Sequence, residues 1–196
     1  MNGITTVALV GVGGQGVLLA AAVLAETALA EGLDVKASEA KGMAQRGGTV
    51  RSMVRFGDRV WSPVSPHADL VIAMELLEGR RALELLAPRG ALVCASTRLL
   101  PGGVLRGQEK YPEDVEEAAA ALGARLLVVD AEALAAEAGT ARAANVALLG
   151  AASTVLPFSA ESWRRGLSTL PEKIVEVNRR AFDVARAWAD REEAGS

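Results

Sequence analysis

The segment Gly11-Val12-Gly13-Gly14-Gln15-Gly16 follows a short β-branched apolar run and precedes an Ala/Leu-rich one. Glycines at its first, third and sixth positions permit positive φ and leave no Cβ in the path of an approaching phosphate or carboxylate. A helix starting behind them turns unpaired N–H groups and a partial positive charge toward such an anion. Gln15 adds an amide that both donates and accepts. Two uses fit the pattern. One is a nucleotide or anion site, in which Glu39, near the end of the second strand, would take a ribose. The other is a tight turn with close helix–strand packing and no ligand. No Gly-Lys-Ser/Thr follows, so a lysine-bearing phosphate loop is excluded.

A second unusual stretch, Lys41-Gly42-Met43-Ala44-Gln45-Arg46-Gly47-Gly48, sets one arginine beside two glycines. Such a loop lets backbone approach a ligand or partner closely. Arg46 can hold a phosphate, a carboxylate or a partner's acidic residue in two-point contact, or it is an exposed arginine in a connector. The candidate binding set is therefore Gly11, Gly13, Gly14, Gln15, Gly16, Gln45, Arg46, Gly47 and Gly48. No residue is assigned a catalytic role. Cys94 ends an apolar run and reads as a small core residue, and His67 as a loop residue. Arg51, Arg55 and Arg59 read as a solvated strand face or an acidic partner's footing.

The elements that must position these loops follow from periodicity. Thr5–Val10 is an expected buried strand, Val17–Ala30 a helix and Asp34–Ser38 a strand, which together make a parallel βαβ start. Thr49–Phe56 alternates, with Val50, Ser52, Val54 and Phe56 on one face. Gly57-Asp58 then signals a two-residue hairpin with a return strand over 59–62. Further strands are expected over 69–74, 91–95 and 124–129. Helices are expected over 75–86, 113–122, 130–139, 141–155, 160–166 and 172–190, with Pro88-Arg89-Gly90 as a turn. The fold class is α/β: three αβα layers, a mixed sheet with a parallel start and an antiparallel hairpin, and a helical C-terminal portion. It reads as a single domain, 1–196, with the α/β core over 1–140 and the helical part over 141–196.

Composition narrows the function. Of 196 residues, 51% are hydrophobic and 23% charged, which suits a folded domain. Aromatics at 4% and a net charge of −3 argue against base stacking or a basic nucleic-acid face. One Cys and one His exclude an internal disulfide, an iron–sulfur cluster held by this chain alone and a multi-histidine metal site. No leader or membrane-length apolar run is legible, so a cytoplasmic protein is expected.

GVGGQGV after the first strand and KGMAQRGGTVRSMVRFG some thirty residues later together resemble the gamma-type subunit of 2-oxoacid:ferredoxin oxidoreductases, in particular the stand-alone small (beta) subunit of the indolepyruvate type. HADLVIAMELLEGRRALELLAPRGALVCAST, ARAANVALLGAAS with Asn145, and PEKIVEVNRRAF extend the likeness over most of the chain. The resemblance implies a heteromeric enzyme that oxidatively decarboxylates a 2-oxoacid (indolepyruvate or an aryl pyruvate), forms an acyl-coenzyme A and passes electrons to ferredoxin. It implies thiamine diphosphate and iron–sulfur clusters in a large partner subunit, no tightly bound cofactor here, and coenzyme A at the interface. The isolated chain is then expected to be inactive. A free-standing NAD(P)- or FAD-binding Rossmann-type protein is the alternative; a scaffold whose glycine loop binds nothing is a third.

Overall fold

The apolar runs become the strands of one six-stranded mixed sheet in the order β2-β3-β1-β4-β5-β6. The computed structural model describes residues 3–41, 48–107 and 110–195. Its strands are β1 Thr5–Val12, β2 Asp34–Lys41, β3 Thr49–Gly57, β4 Ala68–Ala73, β5 Leu86–Ala95 and β6 Arg125–Val129. Its helices are α1 Val17–Ala30, α2 Leu76–Ala82, α3 Gly102–Leu105, α4 Val115–Ala121, α5 Ala131–Glu137, α6 Ala144–Ala152, α7 Ala160–Leu167 and α8 Glu172–Gly195. β1, β4, β5 and β6 run parallel, and β3 is antiparallel to both β1 and β2.

Alternation along β1 divides the core. Val7 and Leu9 face a layer built from α1 and α5–α8, whereas Ala8 and Val10 face α2 and α4. Both faces are covered, which gives the three expected layers and explains why the parallel strands read as continuous apolar runs. All three phenylalanines join Trp163 in one chain of ring contacts: Phe56–Phe158 at 4.9 Å, Phe158–Trp163 at 5.6 Å and Trp163–Phe182 at 5.0 Å. That chain ties β3 to α7 and α8.

Four expectations are corrected. β1 and β2 are not neighbours in a βαβ unit, because β3 lies between them. The antiparallel hairpin is β2–β3; residues 59–62 form no return strand. They are held instead by Asp34 Oδ2, which accepts from Val60 N at 2.8 Å, and by Arg55 Nη1, which donates to Ser62 O at 2.7 Å and Val64 O at 3.0 Å. The Pro88–Gly90 turn is absorbed into β5 as an irregularity, with Arg89 at φ 63°. The expected helix over 141–155 is α6 flanked by two 3₁₀ turns. α5 lies within the expected helix over 130–139, and Asp130 caps it by accepting from Ala133 N at 3.0 Å.

α6 and α8 approach so closely that a Cβ on Gly150 would lie 2.3 Å from Phe182 O, a backbone atom that cannot swing aside. Gly150→Ala therefore forces the two helices apart, at a cost of about 1–3 kcal/mol. Urea unfolding should show a lower midpoint with an unchanged slope; an unaltered midpoint would mean the helices slide freely.

Candidate functional site

Because β1 pairs antiparallel with β3, the loop leaving β1 lies beside the segment entering β3: Gly11 is opposite Val50 and Val12 opposite Thr49. The contact continues past the strands, since Gly13 N donates to Gly48 O at 3.0 Å. The glycine loop and the end of the second glycine-bearing stretch thus meet in space. Gln45, Arg46 and Gly47 lie outside the described residues.

The members of the glycine loop play different parts. Gly11 is buried inside β1, and a Cβ there would sit 2.9 Å from each of Gln15 Oε1, Met74 Cβ and Val17 Cγ2. Gly13 and Gly14 are exposed. Gln15 Oε1 accepts from Val12 N at 2.7 Å, and Nε2 donates to Met74 O at 3.0 Å. Its amide therefore staples the end of β1 to the end of β4. Gly16 caps α1 at φ 79°, and a Cβ on it would fall 2.4 Å from Asn145 Nδ2. Asn145 Nδ2 in turn donates to Gly16 O at 3.2 Å.

β1 leads to α1 on one face of the sheet and β4 leads to α2 on the other, so a crevice opens beyond their carboxyl ends, where open α/β sheets place ligands. Two clefts flank the loop there, of about 400 and 420 Å³, and share Gly14, Gln15, Arg142 and Asn145. Among the described residues, the exposed Arg142 guanidinium has no hydrogen-bond or ion-pair partner. Together with the start of α1 it gives the second cleft an anion-binding character, whereas the first also carries the Glu132 carboxylate. Residue-type reasoning missed Arg142 altogether and met Asn145 only through resemblance; the signal lay in Ala-Arg-Ala-Ala-Asn, where Arg and Asn stand three apart in a run otherwise of alanine.

A buried carboxylate also went unread. Glu75, 1% exposed, caps α2 by accepting from Glu78 N at 2.9 Å, and accepts as well from Leu99 N at 3.0 Å and from the Tyr111 hydroxyl. Burial first, then this bond and the Glu75 charge, push the Tyr111 phenol above its ordinary value. Glu75 thereby holds the start of the chain that returns from β5. Nearby, burial, with Glu75 adding to it, pushes the Cys94 thiol up to about 12, which leaves it a thiol at neutral pH and no nucleophile. His67 is exposed in its loop. Among the described residues no three His, Cys, Asp or Glu side chains converge as a metal site, and no helix is long and apolar enough to cross a membrane.

The fold is that of oxidoreductase gamma subunits. The keto/oxoacid ferredoxin oxidoreductase gamma subunit of Geobacter sulfurreducens superimposes with a TM-score of 0.73 at 25% identity, over 95% of this chain and 99% of that one. A 2-oxoglutarate:ferredoxin oxidoreductase from Magnetococcus marinus, solved with 2-oxoglutarate, coenzyme A and succinyl-CoA bound, shares the fold at TM-score 0.75 and 20% identity. This chain corresponds to 97% of its own length but 32% of that longer one. The chain belongs to the pyruvate ferredoxin/flavodoxin oxidoreductase family, whose pattern matches residues 6–188. It is 37% identical over 187 residues to the indolepyruvate oxidoreductase subunit IorB of Pyrococcus horikoshii, covering 91% of this chain and 92% of that protein. The Rossmann alternative finds no support. Glu39 pairs with Ser52, which pairs with Leu9, so its backbone sits two strand spacings, about 10 Å, from the strand carrying the glycine loop.

Space around each glycine separates two variants. Gly14, at φ 103°, has open room for a Cβ, so Gly14→Ala meets only the backbone penalty, about 1–2 kcal/mol. Gly16→Ala meets a comparable penalty plus the collision with Asn145. In thermal unfolding Gly16→Ala should be the more damaging, and Asn145→Ala should restore part of the loss in the double mutant. Equal effects, or no recovery, would show that Asn145 does not press on Gly16.

Proposed function

We propose that this chain is the small subunit, without clusters of its own, of a heteromeric 2-oxoacid:ferredoxin oxidoreductase that acts on indolepyruvate or a related aryl pyruvate. The observation that carries the reading is the Gly13–Gly48 contact, which joins the family's two glycine-bearing segments next to Gly14, a residue that lines both clefts. The substrate type is supported by the likeness to IorB over nearly the whole of both chains. Residues 1–196 act as one gamma-like catalytic domain, with an α/β core over 1–140 and a helical part over 141–196. The complex works in the cytoplasm.

In the reaction the bond between the 2-oxoacid carboxyl and its carbonyl carbon breaks and carbon dioxide leaves. The acyl group passes to the coenzyme A sulfur, whose thiol proton is released to solvent, and two electrons pass to ferredoxin. Thiamine diphosphate, held by the large subunit, supplies the stabilised carbanion chemistry. The donor set of this chain does not fit an iron–sulfur cluster, since its one cysteine is buried; the clusters belong to the large subunit. This chain contributes anion recognition. Gly13, Gly14, the start of α1 and Arg142 suit a phosphate of coenzyme A or the substrate carboxylate. Gln45, Arg46, Gly47 and Gly48 complete that pocket or grip the large subunit. Gly11, Gln15 and Gly16 hold the loop in shape.

The test is reconstitution with the large subunit. Aryl pyruvate-dependent, coenzyme A-dependent ferredoxin reduction should require both chains. Arg46→Ala should raise KM for coenzyme A or the 2-oxoacid, or weaken assembly, about tenfold, the effect of losing roughly 1.4 kcal/mol. Turnover by the lone chain would refute the subunit role, and unchanged assembly and KM values would refute the role of Arg46.

A further inference from the structure

β6 is the last strand of the sheet, paired with β5 alone. Successive residues of a strand turn their N–H and C=O groups to opposite sides. Ser96 N donates to Val129 O at 2.8 Å, so Arg125, Leu127 and Val129 address β5 while Leu126 and Val128 address the outer side. Among the described residues, no strand or loop bonds that outer side.

This edge is recessed. It forms the floor of a groove of about 700 Å³, with Glu116 of α4 on one wall and Trp188, Glu192 and Glu193 of α8 on the other. α4 covers one face of the sheet and α8 the other, so the groove follows the edge between them. An extended residue fills roughly 3.3 Å along the strand, 4.8 Å across the sheet and 10 Å through it, about 160 Å³, so the groove admits roughly four residues. β6 itself is five residues long.

Sheet edges left open to solvent usually carry charges that deter pairing. Leu126-Leu127-Val128-Val129 carries none, whereas the opposite edge strand, β2, has Asp34, Lys36 and Glu39. The rim of the groove carries the carboxylates of Glu116, Glu192 and Glu193 and the guanidinium of Arg125, which is paired with Glu193. A second copy of this chain fits badly. It would set acidic rim against acidic rim. A single extended chain with basic residues fits both shape and charge.

We propose that this groove receives an extended, basic-flanked segment of the large partner subunit, which pairs with the outer side of β6 and adds a seventh strand to the sheet. Its apolar side chains pack against Leu126, Val128 and Trp188, and its Lys or Arg side chains reach Glu116 and the Glu192–Glu193 rim. The pairing is remote from the glycine loop's chemistry. It rests on the proposed function for the identity of the partner.

The test is hydrogen exchange at the Leu126 and Val128 amides in the full chain, alone and in complex with the large subunit. Both should slow at least tenfold on complex formation. A companion variant, Leu126→Pro, removes an outward donor at a position where an edge strand tolerates proline. It should weaken binding of the large subunit at least tenfold while leaving the circular dichroism of the chain unchanged. Binding with unaltered exchange at both amides overturns this inference alone. Failure of the large subunit to bind overturns the proposed function and this inference with it.

Discussion

The hydrogen bond from Gly13 N to Gly48 O exists because β3 is threaded antiparallel between β1 and β2. In a sheet whose first two strands were adjacent and parallel, the loop after β1 would face the end of β2, and a carboxylate there would reach a bound ribose. Inserting β3 moves Glu39 away and brings residue 48 in. The same short glycine pattern therefore serves a different purpose. One strand placement decides whether the end of β2 or the start of β3 lies beside the loop.

Once those segments meet, the loop needs fastening more than flexibility. Gln15 uses its amide oxygen on Val12 N and its amide nitrogen on Met74 O, bridging the crevice at its base. A half-buried amide satisfied at both ends is worth more as a brace than as a ligand donor, because freeing either end costs about 1 kcal/mol. Gly11 and Gly16 give up side chains so that Gln15 and Asn145 can pack into their places. What remains open toward solvent is Gly13, Gly14 and the guanidinium of Arg142. The site thus consists of a braced frame and a small exposed face, which suits the proposed role of completing a pocket with a partner subunit.

Much of this was legible where the signal is local. The span of α1, Val17–Ala30, followed from an Ala/Leu run between glycines, and α5 fell within the expected helix over 130–139, its cap bond reaching only from Asp130 to Ala133. The return strand over 59–62 failed because Gly57-Asp58 is a local hairpin signal overruled by distant partners: Asp34 takes the Val60 amide and Arg55 takes the Ser62 and Val64 carbonyls. Arg55, which alternation marked as a solvated residue, is therefore a clamp. Glu75 was invisible for the same reason, since its partners Leu99 and Tyr111 lie 24 and 36 positions away. Glycines forecast a bend, but nothing in a single sequence tells whether the missing Cβ makes room for a ligand, as the space beside Gly14 allows, or for Asn145, as at Gly16.

The convergence of the two glycine-bearing segments is tested most directly at a single atom, the amide proton of Gly13. In the native chain, with no partner present, this amide should exchange with solvent far more slowly than that of its exposed neighbour Gly14, because only Gly13 donates across to Gly48. Equal, fast exchange at both glycines would mean that the segments are not joined, and the pocket they are held to shape would not exist.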